Sequence, residues 1–482
     1  MSILPRRAQS PNPIPKTILG YLKARSETPI TAGATLETAA PFRAPDTVEA
    51  LLGVAESFEL EVIGQSELGL AVSGAAESYE ALTGGSMQMV ERLMQASAGV
   101  SRYVTHIDIV GDGQPDALGC AHSEHEPVEV VVIDRPRILQ GIFPSPVPPL
   151  TVKPHLRVPD DLAVITSATA AHRAGFTGDG VRVAMVDSGQ APHPFFTAHG
   201  YRVQPTVPII PGTDPQVDPI GHGTGESANV FAIAPDCLLE PYRATDSAGH
   251  FVGAFGGFIS AKNGQPQVMT NSWGGDMAFG AQPDEGDIAL ALEIIDAVER
   301  GIVVVFSAGN GSFALEAQLP HVISAGGVHA TPALDLEASN YSSGYPSPYF
   351  PGRTVPDLCG LVGNLPRAQY LMLPIPPKCE IDIESAQPAA GDTPDGTLPN
   401  DGWALFSGTS AAAPQIAGAC AVLLQANPGL TPAQVKLALI DGAQDVHTGF
   451  SHPRFNRQAQ PGHDDATGHG LLQVGPSIDA LA

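Results

Sequence analysis

ALFSGTSAAAPQIAGA, residues 404–419, sets one hydroxyl, Ser410, inside a run of glycine and alanine that opens a long apolar helix. Glycine, threonine and serine are ordinary residues for starting a helix, and small side chains let a buried helix approach its neighbours closely. On that reading Ser410 merely begins a core helix whose apolar face carries Ile416, Ala417, Ala419, Cys420, Leu423 and Leu424. A nucleophilic serine asks for more, because a free hydroxyl is almost never ionised near neutral pH. It needs a base within hydrogen-bond reach and a third group to orient that base. The rest of the chain has to supply both.

Upstream of this helix, from Pro159 onward, continuous apolar strands alternate with helices: VRVAMVD, CLLEPYRA, QVMTNSW, GIVVVFSAGN and HVISAGGV, separated by segments such as GESANVFAIA and DIALALEIIDAVER. Strands apolar on both faces, with helices between them, predict an α/β fold with a doubly wound, mostly parallel sheet covered on both sides. In such sheets functional groups collect where strands end and helices begin. Three polar residues sit at those junctions. Asp187 directly follows an apolar strand, as a turn-forming residue or an orienting acid. His222 lies between two glycines at a helix start, on the surface or open to a close neighbour. Asn310 ends a buried strand between Gly309 and Gly311, as a left-handed turn residue or an amide donor to a developing oxyanion.

Asp187, His222, Asn310 and Ser410 follow one another in the order of the subtilisin arrangement, which differs from the chymotrypsin and α/β-hydrolase orders. The motifs VDSG, GHGT, NSWGG, SAGN and SGTSAAAP, with GHGLLQVGPSIDA near the end, make residues 165–480 resemble the subtilisin-like serine proteases. The resemblance implies a serine endopeptidase in which Ser410 is the nucleophile, His222 the general base, Asp187 its orienting acid and Asn310 the oxyanion donor. It further implies that Ser272, Trp273 and Gly274 pair with substrate backbone and form one wall of the specificity pocket, with Ala308 and Gly309 opposite; for Trp273 a plain core role is the alternative. No cofactor is required by this chemistry, while structural calcium is a family property. GDGQPD, 111–116, lacks the glutamate of an EF-hand loop. Asp276, Asp284, Glu285 and Asp287 are expected to cap the helix beginning near Asp287.

Two departures matter. After GHGT the common pattern has another histidine, whereas this chain has Gly225 and Glu226, a change expected to leave the triad untouched. Residues 351–403 are longer than the usual approach to the serine and read as an irregular loop bordering the cleft. His222 and Asn310 separate the chain from the sedolisins, which resemblance would give Glu and Asp at those positions.

At 482 residues the chain has length for two domains. Residues 1–32, rich in Pro, Ser and basic side chains, read as an extended arm. Residues 33–140 read as strand (GATLETAA), helix, strand, strand, helix (ESYEALTGGSMQMVERLMQ), strand (EVVVID), the split βαβ or ferredoxin-like order. GIFPSPVPPLTVKPHL, with five prolines, is the linker within 141–160, and 161–482 is the catalytic domain. The resemblance gives the smaller domain the role of a prodomain that inhibits the active site intramolecularly; a permanently attached accessory domain is the alternative. A formal charge of −26 disfavours nucleic acid and anionic lipid, leaving protein or peptide as the substrate partner. No apolar h-region or span of about 18 residues is evident, and five cysteines without CxxC spacing suit a reducing cytoplasm. A dedicated maturation protease and a non-catalytic peptide-binding module are the competing readings.

Overall fold

The computed structural model describes residues 6–9, 13–30, 36–97, 100–111, 119–139, 155–365, 370–388 and 394–481. Its centre is a sheet whose strands run Arg202–Val203, Leu238–Arg243, Arg182–Asp187, Val268–Asn271, Val303–Ser307 and Ile323–Ala330, all parallel. Leu358–Val362 adds a parallel partner to Ile323–Ala330, and Leu336–Ala338 an antiparallel one. The strand interiors are Val- and Ile-rich and buried on both faces, as the unbroken apolar runs require. After Arg182–Asp187 the chain crosses to Leu238–Arg243 on one side and then to Val268–Asn271 on the other. The end of Arg182–Asp187 is therefore the switch point of the sheet, where open α/β sheets form their crevice.

Two buried helices cross beneath that edge, His222–Ile233 and Thr409–Ala426. At Gly418 they approach closely, since a Cβ there would lie 2.8 Å from the Val230 carbonyl oxygen and 2.9 Å from the Ile233 Cβ. The small residues of the opening motif are thus explained by packing: from Thr409 to Leu424 every residue is buried.

The N-terminal part carries an antiparallel sheet in the order Glu61–Gln65, Gly69–Gly74, Ile18–Ala24, Val128–Ile133, Cys120–His122, backed by the helices Pro45–Ser57 and Ala76–Thr83. With Ile18–Ala24 as its first strand, this is a split βαβ order. Two expectations need correction. The first strand is Ile18–Ala24, inside the supposed arm; in GATLETAA residues 33–35 lie outside the described residues and 36–39 form no strand, with a single 3-10 turn at Ala40–Phe42. The second helix stops at Thr83, capped by Gly84 at φ +71°, and Ser86–Ser97 is a long strand paired with Val100–Val110. Bidentate Arg92–Asp108 contacts of 2.9 and 2.6 Å, fully buried, hold that hairpin and override the helix-forming composition of MQMVERLMQ.

Residues 351–403 also differ from expectation. Their strands join the main sheet at Leu358–Val362 and a second sheet at Tyr370–Pro374, which pairs with His155–Arg157 and Trp403–Phe406. The helix Glu380–Ala386 that follows docks beside the histidine loop, where Glu380 N and Ile381 N donate to the Pro219 and Ile220 carbonyls at 3.0 and 3.1 Å. Much of the linker, residues 140–154, and most of GDGQPD lie outside the described residues. No helix among the described residues is long and apolar enough to cross a membrane.

The two parts meet over the helices Ala254–Asn263 and Glu285–Glu299. Lys262, Glu293 and Asp296 are fully buried there, with Lys262 paired to both acids. The N-terminal part closes the cluster: Tyr21 donates to Glu293 at 2.7 Å, and Arg43 reaches Asp296 and Glu299 at 2.6 Å each. Asp284 caps the second helix, accepting from Gly286 N and Asp287 N, and pairs with Arg135 at 2.8 Å.

Candidate active site

Adjacent strands place Val186 opposite Asn271 and Asn271 opposite Phe306, so Asp187, Ser272 and Ser307 leave the sheet at one edge. Asp187 Oδ1 lies 2.7 Å from His222 Nδ1 and also accepts from Ser188 N at 2.7 Å. Both side chains are buried, 1% and 2% exposed. A carboxylate on Nδ1 fixes the tautomer: Nδ1 carries the proton and Nε2 is the basic nitrogen of the neutral ring. Burial pulls the imidazolium down, but the Asp187 carboxylate outweighs it, with Glu226 and Asp218 adding, and the His222 pKa rises to about 9.

The start of the histidine helix is held by Asp218, four residues before His222. Its carboxylate accepts from Gly221 N and Thr224 N at 2.9 Å each and from the Thr224 hydroxyl at 2.7 Å, satisfying donors that a helix start leaves orphaned. Burial raises the Asp218 pKa against these bonds. Gly223 fits because the chain passes close: a Cβ there would lie 2.1 Å from the Gly189 carbonyl oxygen and 3.1 Å from Asp187 Cβ. The sequence reading missed Asp218; its signal was an acid just ahead of a helix start.

Ser410 is the second residue of Thr409–Ala426 and lies under Ser272. Its Oγ donates to the Ser272 carbonyl at 3.2 Å, and the Ser272 hydroxyl donates to the Ser410 carbonyl at 2.8 Å. That carbonyl is available because Pro414, inside the helix, has no N–H to give it. His222 Nε2 has no hydrogen-bond partner, so Ser410 Oγ and His222 are not joined in this geometry. Such bonds commonly tighten only when substrate arrives.

Asn310 Oδ1 accepts from Thr409 N at 3.0 Å and from the Thr409 hydroxyl at 3.2 Å. The amide is thereby oriented with Nδ2 as its donor end, one residue from the Ser410 N–H at the helix start. Gly309 N donates to the same Thr409 hydroxyl at 3.1 Å, with Gly309 at φ +107°, a left-handed conformation natural to glycine. Ala308 is fully buried beside it.

Trp273 is a core side chain. Its ring is fully buried against Phe251 and Phe306, and its indole N–H donates to the Val186 carbonyl at 2.9 Å. Its backbone faces another partner: Trp273–Gly274 pairs antiparallel with Ile138–Leu139, with Trp273 opposite Leu139 and Gly274 opposite Ile138. The last described strand of the N-terminal part thus lies on the strand that resemblance assigns to substrate. Asp276 is engaged by Arg454 at 2.7 Å, and Asp284 and Asp287 by Arg135. Among the described residues no three His, Cys, Asp or Glu side chains converge as metal ligands.

Glu226 corrects the expectation that GE after GHGT leaves the triad untouched. One turn beyond His222 and fully buried, its Oε1 lies 3.8 Å from His222 Nε2. The i, i+4 spacing was visible in the sequence.

A switch-point acid, a histidine oriented by it and a serine at the start of a buried helix, all on a doubly wound sheet, define the subtilisin-like class of α/β proteins. The model of the subtilase family matches residues 178–470. A probable subtilase-type serine protease of Deinococcus radiodurans is 32% identical over 349 residues, covering 65% of this chain and 42% of that protein. Subtilisin NAT of Bacillus subtilis subsp. natto is 28% identical over 303 residues, 59% of this chain and 65% of that protein. The chain therefore spans less than two thirds of either relative. Among solved structures, fervidolysin from Fervidobacterium pennivorans, a keratinolytic enzyme related to subtilisin, superposes with a TM-score of 0.57 at 17% identity, covering 96% of this chain and 61% of that one. The chain belongs to the subtilase family.

Proposed function

We propose that the protein is a serine endopeptidase that acts on protein or peptide substrates, uses Asp187, His222 and Ser410 as its triad, and is held inactive by its own N-terminal domain until it cuts the connecting segment. The observation that carries this reading is the 2.7 Å contact of Asp187 with His222 Nδ1 at the same sheet edge as Ser410. Ser410 Oγ attacks the scissile carbonyl carbon while its proton passes to His222 Nε2, and Asn310 Nδ2 with the Ser410 N–H receives the oxyanion. The C–N bond then breaks as His222 returns the proton to the leaving amine. Water, deprotonated by His222, hydrolyses the acyl ester and restores the serine. No cofactor enters any step, and a structural calcium ion would lie outside it.

Pairing of Ile138–Leu139 with Trp273–Gly274 supports the inhibitory role, since proteases commonly bind peptide as an added strand. Purified wild type should convert to a shorter form cut within residues 135–165, whereas Ser410→Ala stays full length. If both stay intact while wild type hydrolyses a test peptide, the domain is a permanent accessory. Labelling of Ser410 by a fluorophosphonate tests the hydrolase reading itself; absence of labelling at every pH would leave a peptide-binding module. The reducing cytoplasm remains our proposed location, with Cys359 and Cys379 as free thiols.

A further inference from the structure

Glu226 has no part in the triad, yet its position is hard to explain by packing alone. The side chain is fully buried on the histidine helix, and a carboxyl group without compensation is costly there. One oxygen is compensated: Oε2 accepts from Asn229 Nδ2 at 2.9 Å, and Asn229 Oδ1 accepts in turn from Gln415 Nε2 at 3.2 Å, on the serine helix. Gln415 is itself fixed by both backbone groups of Leu361, at 2.8 and 2.9 Å. The other oxygen, Oε1, has no hydrogen-bond partner, and neither has the atom it faces, His222 Nε2, 3.8 Å away. Two buried polar atoms without hydrogen-bond partners, both acceptors unless one is protonated, confront each other across the base of the proposed triad.

We propose that Glu226 is a positioning residue for His222, its carboxyl group competing with the Ser410 hydroxyl for Nε2 and so setting the pH at which the base becomes available. This rests on the reading of His222 as the general base. Asp187 holds Nδ1 and Glu226 faces Nε2, so the imidazole is flanked by two carboxyl groups. A proton on Nε2, favoured by the facing Glu226 carboxylate, fills the lone pair that must accept the Ser410 proton; its loss to solvent frees the base. Other groups acting on the pair are Asp187 from its strand, Asp218 from the preceding loop and Tyr341 from the segment after Leu336–Ala338. Burial raises the Glu226 carboxyl to about 8 against the opposing pull of His222, in keeping with a retained proton at neutral pH.

The test is the pair Ser410→Ala and Ser410→Ala/Glu226→Gln, with His222 titrated through its downfield Nδ1–H resonance in NMR. Gln keeps an acceptor for Asn229 and removes the charge. The His222 midpoint should fall by about one pH unit or more, the scale for a charge within 4–6 Å. In the active background the acid limb of the kcat/KM profile should move down equally, while a purely structural role would lower kcat/KM at all pH values without moving the limb. An unmoved midpoint overturns the proposal. Should the Gln variant not fold, Ser410→Ala/Glu226→Leu takes its place: a His222 midpoint lower than in Ser410→Ala by about one unit or more supports the proposal, and an unmoved one overturns it. Because the NMR arm needs no turnover, it separates failure of this inference from failure of the protease reading, which fluorophosphonate labelling reports.

Discussion

Ser272 and Ser410 hold each other by reciprocal hydroxyl-to-carbonyl hydrogen bonds of 2.8 and 3.2 Å. The arrangement exists because Pro414 leaves the Ser410 carbonyl without its helical donor. Ser272→Ala should therefore strand a buried acceptor and cost about 1–3 kcal/mol, measured by urea unfolding. Adding Pro414→Ala restores an N–H to that carbonyl, so the double variant should lose less than the sum of the two single changes. Strict additivity would show that the Ser272 hydroxyl does not serve this carbonyl.

Replacement of the proposed catalytic groups should follow the scale established for subtilisin itself: kcat down by about 10⁶-fold for Ser410→Ala or His222→Ala, about 10⁴-fold for Asp187→Ala and about 10²–10³-fold for Asn310→Ala. Steady-state hydrolysis of a chromogenic peptide by the processed enzyme checks each. An Asn310→Ala enzyme with unchanged kcat would remove Asn310 from the oxyanion role.

The stability contributed by His222 and Glu226 should fall as the solution becomes alkaline. His222 and Glu226 are both raised, to about 9 and about 8, above their unfolded values. Groups raised on folding contribute stability that is present below the unfolded pKa and lost as pH rises through the folded one. Measured by urea unfolding, the stability difference between Ser410→Ala and Ser410→Ala/Glu226→Gln, which cancels the opposite contributions of buried lysines such as Lys23 and Lys436, should decline between about pH 7 and 9. A difference that climbs over this range would contradict the sign.

Lys262→Ala should be severe. It leaves Glu293 and Asp296 buried beneath Tyr21 and Arg43 without their shared ammonium group, and removal of one partner from a buried ion pair costs about 3–5 kcal/mol. The loss should appear as earlier urea unfolding of the full chain and as weaker retention of the N-terminal domain after cleavage. A change of a few tenths would mean that the cluster is hydrated.

The central sheet was legible because parallel strands covered on both faces must be apolar throughout, so VRVAMVD and GIVVVFSAGN announced themselves and their ends located Asp187 and Asn310. Ile18–Ala24 was hidden by its prolines and basic neighbours, although ILGYLKA is itself apolar; its buried Lys23 is compensated by the neighbouring Ala24 carbonyl and by the Phe42 carbonyl and Glu129, the last two beyond any local window. Ser86–Ser97 misled for the reverse reason. Its residues favour a helix, and only pairing with the strand that follows it, Val100–Val110, decides otherwise. Glu226 was legible in spacing and overlooked, because comparison with a family pattern registers a missing histidine more readily than an added acid. The bracing of Ser410 by Ser272 joins two segments more than a hundred residues apart and lay beyond any reading of the sequence.

On the inhibitory role proposed above, the pairing of Ile138–Leu139 with Trp273–Gly274 carries a consequence for dosage. While the chain is continuous, the occupying segment is present at an effective local concentration on the order of millimolar, whatever the concentration of the protein, and a free peptide has to compete with that. Once the connection is cut, the same strand becomes a separate molecule whose hold is set by ordinary mass action. The proposed silence before cleavage would then be independent of dilution, and release after it driven by dilution: a concentrated preparation of the cut protein would stay restrained, while the same protein spread into a larger volume would be set free.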